Sequence, residues 1–554
     1  MISIFSEVYK NSLSILLKEK RKKGLIKDMR EVNQRKEKGI TILALTITII
    51  ILLILAGITI ISLTGENGLI KNAGQAKEET EISNEKEILE RATAGAMAQD
   101  SRGNIKEERL QNKLNGETGA GKTEVTDIGE EFEVLFKDTN RYYIVDKTGN
   151  IEIAPEIKED KSPGDITKDE EGNELTGRYE IWSIEDLCDF SNRVNNGKTF
   201  NGEEVYLMQS LNFKSKRSYV NGNIVTTGKI QSCNTIEELQ KILTEGEGFY
   251  PIGDRINNYG YQGSFDGNNF EIKNLYINRS GNIGLFGNIS LGENDIVIKN
   301  IKIMGNIIGT ENVGAICGSI VGTNSSIQIV NCITTAMING DRCAGGIVGN
   351  VNSTCTNLKV QNCINYGNTR GSDTGGIVGS CYYIEIYNCS NEGEIVGLNE
   401  NTGYNGVGGI IGTGMRTIII KNSYNKGNIK GISKGGGIIG YNDWGEVTLE
   451  NCYNIGMVSG ATLGGIAGRL FLSNDMLTTK NCFYLNTNIS IGIGYIHGGS
   501  EEKEDVKGFS QEEIKSNEVL NSLNNYVEQN LNNQEVELKK WKFGDDGYPT
   551  FVEN

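Results

Sequence analysis

A chain of 554 residues is too long for a single compact core, so three or more structural units are expected. Its 71 glycines against 4 prolines point to tight turns recurring in a pattern rather than to a plain α/β enzyme, and a net charge of −16 argues against nucleic acid as a partner. The only histidine, His497, excludes a two-histidine zinc site within one chain and leaves a Ser-His-Asp triad a single candidate; its context, "YIHGGS", reads as a surface loop.

Charge divides the chain unevenly. Residues 1–38 hold 11 Lys/Arg and 5 Asp/Glu, a local +6, which leaves −22 for the remainder. Residues 1–39 therefore read as a basic cytoplasmic leader. Ile40–Leu63 follows with 24 residues and no charge, enough as a helix to cross a hydrocarbon core of about 30 Å. The basic flank "NQRKEKG" places the N-terminus in the cytoplasm and everything after about residue 65 outside the cell. On these residues alone the segment is a single-pass anchor.

The stretch "KGITILAL" resembles the N-terminus of type IV prepilins and pseudopilins. The resemblance implies cleavage by a prepilin peptidase after Gly39, methylation of Ile40, and pilin-like subunits as partners. A start at Met29 gives the short basic leader common in that family. Ala44 departs from the pattern, since the family carries glutamate there for filament assembly.

Residues 64–153 read as a small pilin-like α+β domain. Helix is expected over 81–100 and 106–114, then a hairpin of 131–138 and 141–153 joined by "DTN". Between them, "LNGETGAGKTEVT" places Gly116, Gly121, Lys122 and Thr123 at P-loop spacing. A working P-loop follows a strand and opens a helix. Here the order is reversed, so the match is read as accidental and no cofactor is expected. The acidic linker 154–177 reads as an extended, solvated spacer without calcium-loop spacing, and no metal is expected.

The rest is a repeat. "VGAICG", "AGGIVG", "TGGIVG", "VGGIIG", "GGGIIG" and "LGGIAG" recur between 313 and 468, after "IGLFG" at 283–287. An Asn precedes Cys332, Cys363, Cys389, Ser423, Cys452 and Cys482, at intervals of 31, 26, 34, 29 and 30. Such a period is a solenoid signal. One unit, "TGGIVGSCYYIEIYNCSNEGEIVG", divides into three alternating β stretches, which predicts a mainly β protein: a right-handed parallel β-helix behind the membrane helix. Seven coils give a rod of about 35 Å. The glycines are expected to allow close coil packing, and the asparagines to stack as an amide ladder at one corner. Residues 178–282 are expected to form the N-terminal cap and first coils, 283–490 the repeats and 491–554 the C-terminal cap. Ser183 and Asp186 open a cap helix with Ile184, Leu187, Phe190 and Val194 on one face, and 510–527 supplies a second helix.

These motifs, with "GFYPIGD" and "WKFGDDGYPTFVEN", resemble the GLUG repeats of bacterial surface proteins over residues 178–554. Eleven cysteines cannot all pair within the chain. Those in the repeat read as a buried column, with disulfides between adjacent coils a remaining option. The expected function is non-enzymatic: a membrane-anchored cell-surface protein displaying a β-solenoid for adhesion to an extracellular protein or glycan. The alternatives are a minor pilin or pseudopilin of a type IV pilus or secretion filament, and a β-helix polysaccharide-active enzyme.

Overall fold

In the computed structural model the described residues are 69–554, apart from 101–103, 155–163, 166–176, 221–232, 234, 254–259, 324, 399–404, 432–433, 488, 499–504, 532–535 and 554. The basic leader, the apolar run 40–63, Ala44 and the Gly39–Ile40 junction lie outside the described residues. Among the described residues no helix is long and apolar enough to cross a membrane.

Contacts divide the chain into two units, Met1–Gly95 with Gly116–Thr118, and Ala96–Asn115 with Gly119–Asn554. The described part of the first is mostly helix α1 (Leu69–Met97), a proline-free stretch laced by the i,i+4 pairs Lys77–Glu81 and Glu87–Arg91.

The second unit takes in α2 (Glu107–Thr118) up to Asn115, and that part buries Leu110 and Leu114, four residues apart on one face. A four-stranded antiparallel meander follows in the order β1 (Thr123–Asp127), β2 (Glu131–Phe136), β3 (Arg141–Asp146) and β4 (Ile151–Ile153). Strand β1 extends the expected hairpin. The meander is docked on the solenoid's early coils: Ser215 Oγ donates to the buried Glu133 carboxylate at 2.6 Å, and Asn274 Nδ2 donates to the Ile128 carbonyl at 2.8 Å.

The solenoid begins with β5 (Gly164–Asp165) and β6 (Arg178–Ile181). The two residues of β5 lie in the expected spacer, yet they pair antiparallel with Glu180 and Tyr179 and shield the outer edge of the first long strand. From β6 onward one face stacks ten parallel strands in register. They continue through Glu204–Leu207, Ser264–Asp266, Ile296–Lys299, Ile327–Val330, Leu358–Gln361, Ile384–Tyr387 and Ile418–Lys421, and end in the later parts of Ile439–Glu450 and Ala467–Lys480. About ten turns at ~4.8 Å make a stack of about 48 Å, longer than seven coils imply, because the segment 178–282 already winds. Alternate side chains such as Ile327/Ile329, Leu358/Val360 and Ile418/Ile420 point inward and are fully or almost fully buried. Each contributes roughly 1.5–3 kcal/mol.

A coil has five short strands rather than three. In the coil from 373 these are Asp373–Gly375, Val378–Cys381, Ile384–Tyr387, Ser390–Asn391 and Ile395–Gly397, shared among three parallel sheets. The glycine pair breaks the chain between the first two. Its second glycine faces the asparagine of the fourth strand: a Cβ on Gly346 or Gly409 would lie 2.5 Å from the Cγ of Asn365 or Asn425. The double glycine therefore makes room for a buried amide.

The N-terminal helix α3 (Ile184–Asn195) has the expected capping box between Ser183 and Asp186, and Ile184, Leu187, Phe190 and Val194 are all fully buried. Phe190 joins it to the solenoid core through Phe200, Tyr261 and Phe265. At the other end, α4 (Gln511–Ile514) and α5 (Asn517–Gln529) stand where one helix was expected. Val519, Leu523, Tyr526, Trp541 and Phe551 pack there on Tyr387, Tyr424, Tyr453 and Phe483.

Candidate ligand-binding face

Gly116 lies in the last turn of α2, Gly119 and Gly121 take positive φ in the connecting turn, and Thr123 opens β1. The chain thus leaves a helix C-terminus and enters a strand. The Gly119 N–H is used to cap the Asn115 carbonyl, and exposed Lys122 pairs with Asp138 at 2.7 Å. His497 is exposed, but it ends the strand Ile493–His497 rather than sitting in a loop, with its ring 5.2 Å from Phe471.

The recurrent motif residues are architectural. Asn300, Asn331, Asn362, Asn388, Asn422, Asn451 and Asn481 occupy left-handed backbone at φ between 51° and 56°, which asparagine tolerates better than most residues. Each donates its Nδ2 to the Oδ1 of the residue one coil earlier, at 2.6–3.0 Å, and Asn300 donates to Asp266. A second ladder runs inside: Asn365, Asn391 and Asn425 each donate to the next coil's Asn at 2.7 Å, ending on Asn454. Its direction is opposite to the first. All eleven cysteines are free thiols and buried. Burial raises the Cys332, Cys389 and Cys452 thiols well above their ordinary range.

Against this regularity one in-register column, covered in most coils and emerging at the last, changes character. It consists of the residue following the last glycine of each repeat, held in register coil after coil. Ser319, Asn350, Ser380 and Thr413 are small and polar; Tyr441, Arg469 and Tyr495 follow. Two positions further on, the strands place Asp443, Phe471 and His497, the last two in register. A register shift between Asn442 and Val447 lets the strand Ile439–Glu450 run on through a corner that earlier coils break. At that shift Trp444 is 57% exposed and holds φ 54°, unusual for a bulky side chain.

The electrostatics of the patch are specific. The Arg469 guanidinium sits 4.6 Å from the Phe471 ring and 4.9 Å from the Tyr495 ring, and its Nε is buried without a hydrogen-bond partner. Tyr441 packs edge-on to Phe471 at 6.1 Å and donates its hydroxyl to Asp443 at 3.0 Å. Buried Lys434 lies 4.3 Å over the Tyr441 ring; burial, and then the nearby Arg469 charge, lower its pKa. Asp373 accepts from the Thr413 hydroxyl at 2.6 Å, and burial raises its carboxyl above the usual range.

An open polar groove of about 330 Å³ lies elsewhere, lined by Glu247, Asn278, Arg279, Thr310, Asn339 and Asp341. Its arginine is already committed, donating to Glu247 and to the Gly248 and Phe249 carbonyls. The terminal aromatic patch is therefore the stronger candidate. What repeats in the sequence does not mark the patch. The signal was present in what departs, "GGIVGS" and "GGIIGT" giving way to "GGIIGY" and "GGIAGR".

No protein-family model and no curated protein matches the chain. Among solved structures it is similar to a crystal structure described as a "putative immunoglobulin A1 protease" from Bacteroides ovatus, at 20% identity and a TM-score of 0.36, over 70% of this chain and 94% of that one.

Proposed function

We propose that the chain is a membrane-anchored cell-surface protein that presents its β-solenoid to an extracellular glycan or protein and performs no chemistry on it. The observation that carries the reading is the change of one in-register column, on a constant backbone, from small polar side chains to buried Tyr441, partly exposed Arg469 and exposed Tyr495, with exposed Trp444 three residues after Tyr441. Aromatic and arginine side chains concentrate binding energy at contact surfaces. The uncharged run 40–63 supplies the anchor, and the GLUG-like repeats agree with surface display.

The test is binding of the full chain to an array of glycans and extracellular proteins. The Trp444→Ala/Tyr495→Ala double variant should lose about tenfold or more in affinity while keeping its melting transition. Retained binding by that variant would remove the patch from the reading. A glycan shortened on incubation with the protein would instead favour the polysaccharide-active alternative.

A second reading, a minor pilin or pseudopilin, draws on the order of helix, glycine loop and meander behind "KGITILAL". N-terminal mass from native membranes decides it: a chain beginning at N-methylated Ile40 supports it, and an intact leader from Met1 or Met29 sinks it.

A further inference from the structure

The terminal patch carries two cations, Lys434 and Arg469, in unlike settings. Lys434 faces Asp373 and Asp443, the two carboxylates that favour its charged form. Arg469 has no ion-pair partner among the described residues, whereas Arg178, Arg193 and Arg279 each pair with a carboxylate. Its position is nevertheless held by two aromatic rings that flank the guanidinium, although one buried donor, Nε, is left without an acceptor. A planar fork held in this way matches a carboxylate in two-point contact. Arg469 is itself partly exposed, so an acid in solution can approach the guanidinium on the side the rings leave open.

The neighbours restrict that acceptor further. Tyr495, whose ring lies 4.9 Å from the guanidinium, is 43% exposed, so the fork borders exposed aromatic surface. Such surface packs against the C–H face of a sugar ring. A polyanion held by backbone phosphates or sulfates needs a row of cations, and the neighbouring Lys434 is buried with Asp373 and Asp443 as its charge partners rather than extending such a row.

We infer that the ligand of this face is a saccharide bearing a carboxylate, with the acid group on Arg469 and the ring against Tyr495. The inference rests on the proposed binding function and names its ligand class.

The experiment is calorimetric titration of the full chain with oligosaccharides of galacturonic acid, of glucuronic acid and of N-acetylneuraminic acid, each beside its methyl ester. At least one acid should bind about tenfold or more tightly than its ester. Arg469→Gln should bring that acid down to the ester's affinity, Arg469→Lys should keep part of the preference, and Tyr495→Ala should weaken both forms alike. The preference should also shrink as ionic strength rises well above about 0.15 M, a readout that needs no variant to fold.

Equal binding of acid and ester in every pair overturns the inference, as does an acid preference that survives in a folded Arg469→Gln protein. Capture of a neutral glycan or a protein through Trp444 and Tyr495, with acid and ester equal, leaves surface display standing and removes only the carboxylate. Absence of any ligand on the array of glycans and proteins removes both.

Discussion

Asp373 shows how one side chain couples the terminal patch to stability. Burial raises its carboxyl pKa; the Thr413 hydroxyl and the Gly406 N–H, 3.4 Å away, act in the opposite direction without cancelling that. A carboxyl whose folded pKa lies above its unfolded value binds its proton more tightly when folded. The fold therefore loses stability as pH rises from the ordinary range near 3.8 through the raised value. Asp373→Asn should raise the melting temperature at pH 7 by a few degrees, and the gain should disappear on approaching the ordinary carboxyl range. Thermal melts across pH 3.5–7 check this, and a gain that grows as pH falls would contradict it. Nothing in the sequence marks Asp373 out, because its burial is created by the neighbouring coil. Asn331 and Asn362, by contrast, could be placed in a ladder from their recurrence before cysteine. The direction of donation along that ladder depends on which groups stand at its ends, and those lie outside the motif.

At the scale of the coil, the period and the parallel stacking were legible because glycine and asparagine positions repeat near every 30 residues. The five-strand path was not, since strands of two or three residues leave no periodicity to detect. The inner ladder also escaped notice, although "YN" and "IN" recur two and three residues after the outer asparagines; a buried asparagine looks like a surface turn until the facing glycine is known. The ladder makes an ordered prediction. Asn422 is fully buried, bonds Asn388 and the Lys539 carbonyl, and accepts from Asn451 and the Trp541 indole. Asn422→Ala should cost about 3 kcal/mol, since it strains a left-handed position and strands several buried groups. Asn331→Ala, at the exposed end of the ladder, should cost about half as much. Denaturant unfolding of the two variants compares them directly, and equal costs would show that backbone conformation, not the ladder, sets the energy.

At the scale of the molecule, stability is distributed unevenly along the stack. The C-terminal segment lies on the last coils, with Asn388, Asn422, Asn451 and Asn481 donating to carbonyls of Glu537, Lys539, Leu523 and Ser522. A repeat array is held by nearest-neighbour interfaces, so loss of a terminal cap acts locally. Deleting 510–554 should strip hydrogen-exchange protection from the coils between about 384 and 485 and leave those between 264 and 361 protected. Uniform loss would mean that the stack unfolds as one unit. The two ladders also bear on how such a stack changes length. The outer ladder opens on the Asp266 carboxylate and closes on the Ser522 hydroxyl, so only its ends require special chemistry. Ahead of the coils that the C-terminal segment covers, Asn331 and Asn362 give and take in the same way as each other. A whole coil of that middle region can therefore be duplicated or lost by unequal recombination without leaving a rung unsatisfied, which makes the solenoid a ruler adjustable in steps of ~4.8 Å that moves the terminal patch nearer to or farther from its base.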